Sequence, residues 1–421
     1  MKLGAGRLAG IVILALVSAV CWLDLAASGD DRAPPSPSVP AAWGELTPAR
    51  RSTRASFRLP NPILALAALT ENARTTLVGV RPNGTQSLLE PEVMDGGSTT
   101  LRGSALAYLL LPGLDPTQNS IEAQNLSDGQ SWEILPDEGG VIFGFVVDPK
   151  GNHLVYLEID SRPSGAHPPW RVVAVDLAGG ARRAILDGAR DGDVALMPVE
   201  WESGTILLRG LTPFSPHFQG LWSVHPDGSG LRKLLDESEY LAMPRLSPQG
   251  DRLALLSVQP GVRPPLIGRG EPTATVVQVF DLATDLRIPI LATDSQHEFT
   301  DLQWEAGSLL AVQGEWDEEE QAFVHRRVLR LTLEANSSPE VLYSAVDGDI
   351  VRLARCPNEG WLAAVRVGDD VRIVQGNRTE PIASFHKGDL DSLTCLAGSP
   401  SDSGQAMAGR PSGLAWAMAG R

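Results

Sequence analysis

Between Leu221 and Ser257 the chain reads LWSVHPDGSGLRKLLDESEYLAMPRLSPQGDRLALLS, and much of it alternates apolar with polar positions. A period of two places successive side chains on opposite faces of an extended strand. LWSVH runs up to Asp227-Gly228-Ser229-Gly230, residues that accept the positive φ of a tight turn, and LRKLL runs back. LAMPRL then meets Ser247-Pro248-Gln249-Gly250-Asp251 and returns as RLALLS. The stretch predicts two antiparallel hairpins, four strands in about forty residues, and the pair recurs in degraded form along the chain.

Blade one takes ILALAALT, TTLVGVR and TQSLLE, and blade two takes LRGSALAYLLL, SIEAQNL and SWEIL. Blade three takes GVIFGFVV, HLVYLEI, WRVVAVDL and ARRAIL; blade four takes VALMPVEW, TILLRG and the LWSVHPDGSG hairpin. The LAMPRL hairpin opens blade five, which ends in ATVVQVFDL and RIPIL. Blade six takes FTDLQW, SLLAVQ, RVLRLTL and EVLYS; blade seven takes IVRLARC, WLAAVRV, VRIVQG and EPIASF. Gly151, Gly204, Gly250, Gly307 and Gly360, one in each inner hairpin of blades three to seven, recur about every 50 residues. Such spacing predicts an all-β fold, a β-propeller of seven four-stranded blades over residues 55–398, with six or eight blades as alternatives. A β-sandwich would not need a fixed period. Strands apolar on both faces, such as RLALLSV and WRVVAVDL, fit sheets covered on both sides. Asp391–Ala397 is apolar enough to close the ring as the innermost strand of blade one, which puts Cys395 beside the strand carrying Cys356. Cys356 and Cys395 are a candidate disulfide, with Cys21 left in the amino-terminal segment.

Lys2 and Arg7 precede the apolar run Leu8–Leu23, and Asp24, Asp30 and Asp31 follow it. This charge bias predicts export, with residues 1–29 acting as a cleaved signal peptide or an uncleaved membrane anchor, or with a lipid on Cys21. Residues 30–54 are Pro-rich and read as an extended spacer, and residues 399–421, which repeat AMAGR, read as a disordered tail. A fragment from about residue 50 to 390 is expected to fold alone.

The motifs S-P-x-G-D-R-L-A at Ser247–Ala254 and D-G-S-G-L-R-K-L at Asp227–Leu234 resemble the WD-like propeller repeats of TolB-type proteins. They are also similar to the amino-terminal propellers of prolyl oligopeptidase and dipeptidyl peptidase families. The resemblance covers roughly residues 55–390 and implies the fold; function sits in sites grafted on it. TolB places an α/β domain before its propeller, where this chain has the Pro-rich spacer. In the peptidases the propeller gates a hydrolase domain, and this sequence contains no G-x-S-x-G nucleophile elbow.

A net charge of −16 argues against nucleic acid as partner, because phosphate affinity needs clustered Lys and Arg. The seven histidines are scattered without H-E-x-x-H or Cys-x-x-Cys spacing, so neither a metal nor a cofactor is expected. The acidic run Glu315, Asp317, Glu318, Glu319 and Glu320 reads as a solvated loop. The expectation is a non-enzymatic extracytoplasmic propeller binding a protein, peptide or cell-wall ligand. The alternatives are a glycan-active or lactonase-like enzyme, supported by the inner-strand acids Glu200 and Asp301, and a ligand-sensing ectodomain. The ligand is expected on the face where second-to-third-strand connections are long in blades three to six: Asp160–Pro169, Leu211–Gln219, Val258–Pro272 and Gly314–Gln321. These segments and their borders carry Trp170, Phe214, His217, Phe218, Arg263, Arg269 and Trp316, types enriched where proteins bind.

Overall fold

The structure is a computed structural model, and the residues it describes lie between 46 and 395. It leaves out 53–63, 72–73, 95–98, 103–104, 111–118, 126–129, 163–167, 192–193, 212–219, 237–240, 259–274, 295, 320–321, 336, 357–359, 377, 379 and 387–388.

Most apolar runs bounded by Gly, Asp or Asn turns form the strands and hairpins read from the sequence; LRGSALAYLLL, read as one segment, instead divides between two paired strands of blade two. The chain begins with β1 (Arg50–Arg51), followed by β2 (Ala65–Glu71), β3 (Arg74–Val80) and β4 (Gln86–Met94) of blade one. Blade two holds β5 (Thr99–Arg102), β6 (Ala105–Leu110), β7 (Ser120–Asn125) and β8 (Ser131–Ile134). Blade three holds β9 (Gly140–Val147), β10 (His153–Asp160), β11 (Trp170–Asp176) and β12 (Arg182–Asp187), which a four-residue helical turn, Gly188–Asp191, follows. Blade four holds β13 (Ala195–Glu202), β14 (Thr205–Leu211), β15 (Leu221–Val224) and β16 (Arg232–Leu235). In blade five are β17 (Leu241–Leu246), β18 (Arg252–Val258), β19 (Thr275–Asp281) and β20 (Arg287–Ala292). In blade six are β21 (His297–Glu305), β22 (Ser308–Asp317), β23 (Ala322–Thr332) and β24 (Glu340–Ser344). Blade seven has β25 (Asp349–Cys356), β26 (Gly360–Val367), β27 (Asp370–Gln375) and β28 (Ala383–His386), and the last strand is β29 (Asp389–Cys395).

These strands form seven antiparallel sheets, so the protein is a seven-bladed β-propeller. The two hairpins of Leu221–Ser257 fall in different blades, the outer half of blade four and the inner half of blade five. β29 pairs with β2, Cys395 opposite Ala65 and Asp389 opposite Thr70, and so supplies the innermost strand of blade one from the far end of the chain. A disulfide joins Cys356, at the end of β25, to Cys395, with Cα atoms 4.9 Å apart. Because β29 runs to Cys395, a fragment stopping at 390 would remove most of the closing strand. At the other end, β1 adds a fifth strand outside β8. Ala49 donates to the Gly180 carbonyl and Arg182 to that of Thr47, so residues 46–52, placed with the spacer in the sequence reading, strap blades two and three together.

Alternation along two-faced strands builds the core. β11 sends Val173 and Val175 into a cluster shared with blade two, and Val172 and Ala174 into one shared with blade four. β18 divides likewise, Leu253 and Leu255 toward blade four and Ala254 and Leu256 toward blade six. Each such valine or leucine side chain removed from water contributes about 2 kcal/mol. Among the described residues no helix is long and apolar enough to cross a membrane; the apolar run Leu8–Leu23 lies outside them.

Candidate functional site

In a four-stranded blade the first-to-second and third-to-fourth strand turns open on one face, here called lower, and the second-to-third connections open on the upper face. Lower-face inner turns such as 203–204 and 306–307 are minimal. Upper-face connections are short in blades one and seven, 72–73 and 368–369, and long at 111–119, 161–169, 212–220 and 259–274. The long ones therefore occupy blades two to five, not three to six. Blade six differs from expectation for a physical reason: β22 stays paired through Asp317 and β23 begins at Ala322, so the first half of Gly314–Gln321 is strand.

Phe214, His217, Phe218, Arg263 and Arg269 lie outside the described residues. Trp170 opens β11 and is only 2% exposed, packed in the core between blades three and four and against Gly188. It is therefore a core residue, not a surface contact. Trp316 is half-buried on β22 opposite Phe323, ring centroids 5.1 Å apart in an edge-on arrangement. The structure thus does not bring Trp170 and Trp316 together, and it pairs Trp316 with an aromatic residue the sequence reading passed over.

Below that aromatic pair lies His325, 7% exposed. Its Nδ1 is 2.8 Å from Asp349 Oδ1 of blade seven and its Nε2 2.8 Å from Glu298 Oε1, while its backbone N–H also donates to Asp349. Burial opposes the imidazolium, but the two carboxylates outweigh it and push the pKa up to about 9. His325 at neutral pH is a cation bridging two blades. Nothing local announces it, since its partners stand 24 and 27 positions away; the cross-strand partner of Trp316 could have been found by counting outward from the Glu318–Gln321 tip.

Each inner strand is an edge strand toward the channel, and its channel-side backbone groups need partners. Side chains of neighbouring blades supply several of them. Glu200 Oε2 accepts from the Leu246 N–H, Asp301 Oδ2 accepts from Leu353 N–H at 3.1 Å, and Asn119 holds both the N–H and the carbonyl of Ile142. Arg245 donates to the Leu302 carbonyl, and Trp304 donates to that of Arg245. Burial raises the Glu200 carboxyl to about 7 against the pull of Arg245, the Leu246 N–H and Arg102, and raises Asp301 for the same cause. Arg102 of blade two also pairs with Glu202 of blade four. Within blade three, the wholly buried Glu158 meets Arg171 at 3.0 Å and Arg182 at 3.4 Å, with Asp137 of the link from blade two completing the network. Ion pairs that cross from one blade to another, such as Arg102 with Glu202, hold blades together. Among the described residues no group of three or more His, Cys, Asp or Glu is placed to hold a metal ion.

No family model and no curated protein matches the sequence. Solved structures share the architecture. A puromycin hydrolase mutant complexed with PGG is 15% identical with a TM-score of 0.52, over 82% of this chain and 55% of that one. An oligogalacturonate lyase from Vibrio parahaemolyticus is 14% identical with a TM-score of 0.47, over 77% of this chain and 95% of that one. TolB from Acinetobacter baumannii is 13% identical with a TM-score of 0.35, over 66% of this chain and 65% of that one. The chain spans 43% of the length of a prolyl endopeptidase that it also resembles. At these identities the likeness shows the fold alone, and the fold is the β-propeller that the resemblance to TolB-type repeats implied. The expectation of a non-enzymatic protein is corrected: a puromycin hydrolase shares this architecture, so the fold does not set catalysis aside.

Proposed function

We propose that the protein is an extracytoplasmic propeller that takes a protein, peptide or cell-envelope ligand on its upper face. The observation that supports this reading is the asymmetry of the connections, minimal at the inner turns below and long above in four consecutive blades. Long connections lose more conformational entropy on ordering, and binding surfaces concentrate on them. Location outside the cytoplasm is supported by the Cys356–Cys395 disulfide, a bond that persists in oxidising compartments. The segment 1–29, as signal or anchor, is the route there.

The test compares capture from a cell-envelope extract by the immobilised wild-type protein, a Phe214→Ser/Phe218→Ser variant and a lower-face Leu286→Ser variant. The upper-face variant is expected to keep its thermal midpoint and lose the captured component, and the lower-face variant to keep both. Unchanged capture by the first variant, and by a chain with 258–272 shortened, would move the site off this face.

Catalysis by a glycan-active or lactonase-like propeller is the second reading, favoured by Glu200, whose carboxyl is raised to about 7 beside the channel and can exchange a proton near neutrality. Turnover of a glycoside or lactone by the wild type, lost in Glu200→Gln, would support it. A wild type without turnover over a broad panel would count against it.

A further inference from the structure

The upper end of blade six carries a surface different in kind from the long loops beside it. Trp316 and Phe323 face each other across β22 and β23, and two residues nearer the sheet Gly314 faces His325. Side chains two apart share a face, so the aromatic pair stands on the same face as His325, whose ring reaches Asp349 of blade seven. The same alternation places Leu310 and Val312 of β22 in the core shared with blade seven. The aromatic wall therefore overlooks blade seven, whose upper connection is only 368–369. At the foot of this notch runs the link from β24 to β25, and Val346 within it is 86% exposed, the most exposed large hydrophobic residue described. Its neighbour Ala345 donates to the Arg326 carbonyl, next to His325, which ties the link to the hairpin.

We propose that this notch between blades six and seven is a docking surface for an extended, basic segment of a partner protein, with arginine or lysine side chains between apolar ones. Apolar residues meet Val346 and the aromatic edges, and a guanidinium lies against the Trp316 and Phe323 rings, where cation–π attraction holds it. The charge of the rim decides the sign of the partner. Asp347 and Asp369 are exposed, in a chain of net charge −16. The hairpin is pinned before the partner arrives, since His325 binds Glu298 of its own blade and Asp349 of the next, and a preorganised wall loses little entropy on binding. This inference rests on the upper face being the binding face and adds the class of partner and the place.

The probe is a fluorescent peptide of alternating Arg and Leu, titrated by anisotropy into the full chain, with a Glu and Leu peptide as control. The Arg peptide is expected to bind and the Glu peptide not. Trp316→Ser/Phe323→Ser should weaken binding at least tenfold with an unchanged thermal midpoint, and Asp347→Asn/Asp369→Asn should weaken it and flatten its salt dependence. Lower-face Asp227→Asn/Asp285→Asn, which changes the net charge equally, should leave affinity within twofold. Absence of Arg-peptide binding, equal binding of the Glu peptide, or equal losses from upper-face and lower-face substitutions would overturn the proposal. If Phe214→Ser/Phe218→Ser abolishes extract capture while the notch variants do not, the upper-face reading stands and the notch fails. If neither pair of variants changes anything, both fail.

Discussion

His325 shows how one side chain can join two blades. Its folded pKa, about 9, lies above the ordinary 6.5, so the imidazolium stabilises the fold in full below about pH 6.5 and the contribution is lost as pH rises through about 9. At about 1.4 kcal/mol per unit, the effect is about 3 kcal/mol at most. His325→Gln is expected to lower the urea midpoint at pH 6 and to remove most of the decline that the wild type shows between pH 6.5 and 9.5. Parallel pH profiles for the two proteins would refute the ion bridge. Trp170 carries the opposite lesson: a large aromatic at the border of a long connection reads as a contact residue, but its ring fills the gap between two sheets.

At the scale of the hairpin, turns that look alike are held differently. Gly228 and Gly307 both have positive φ, +88° and +76°. A Cβ on Gly307 meets nothing within 4 Å, so Gly307→Ala suffers only the backbone penalty, roughly 1 kcal/mol. A Cβ on Gly228 would stand 2.3 Å from the Ile185 carbonyl of blade three, backbone that cannot swing aside. Gly228→Ala is expected to lose at least twice the stability that Gly307→Ala loses, measured by denaturant unfolding of both. Equal losses would mean that the turn of blade four does not bear on blade three. Blade six extends the same point: its pairing continues past the sheet, so Glu315 and Asp317, which composition presents as part of an acidic loop, lie on a paired strand.

For the whole ring the decisive contact is the closing strand. β29 must return across nearly the entire chain to pair with β2, and its free ends would lose much entropy in doing so. The Cys356–Cys395 bond restricts that search within a separation of 39 residues, for which restriction of the unfolded chain predicts about 4 kcal/mol. Cys356→Ser/Cys395→Ser is expected to unfold at a markedly lower denaturant concentration and to expose blade-one amides first in hydrogen exchange. A double variant as stable as wild type, or exchange spread evenly over all blades, would show that strand pairing alone closes the ring. A chain ending before Asp389 should fail to unfold cooperatively.

The sequence by itself determined the repeat, a ring for which seven blades was the first expectation, the strands on each side of most tight turns, and even the closing strand with its cysteine. Those features depend on contacts between residues a few positions apart, where alternation and turn chemistry act directly, or on one segment lacking a partner among its neighbours. Only the tertiary structure decided that Glu200 and Asp301 hold the backbone of the following blade, that residues 46–52 belong to the folded body, and that Trp316 and Phe323 meet ring to ring across β22 and β23. The first two depend on groups from different blades meeting at a distance set by ring closure, and no local pattern records which residue will stand opposite once the ring is shut.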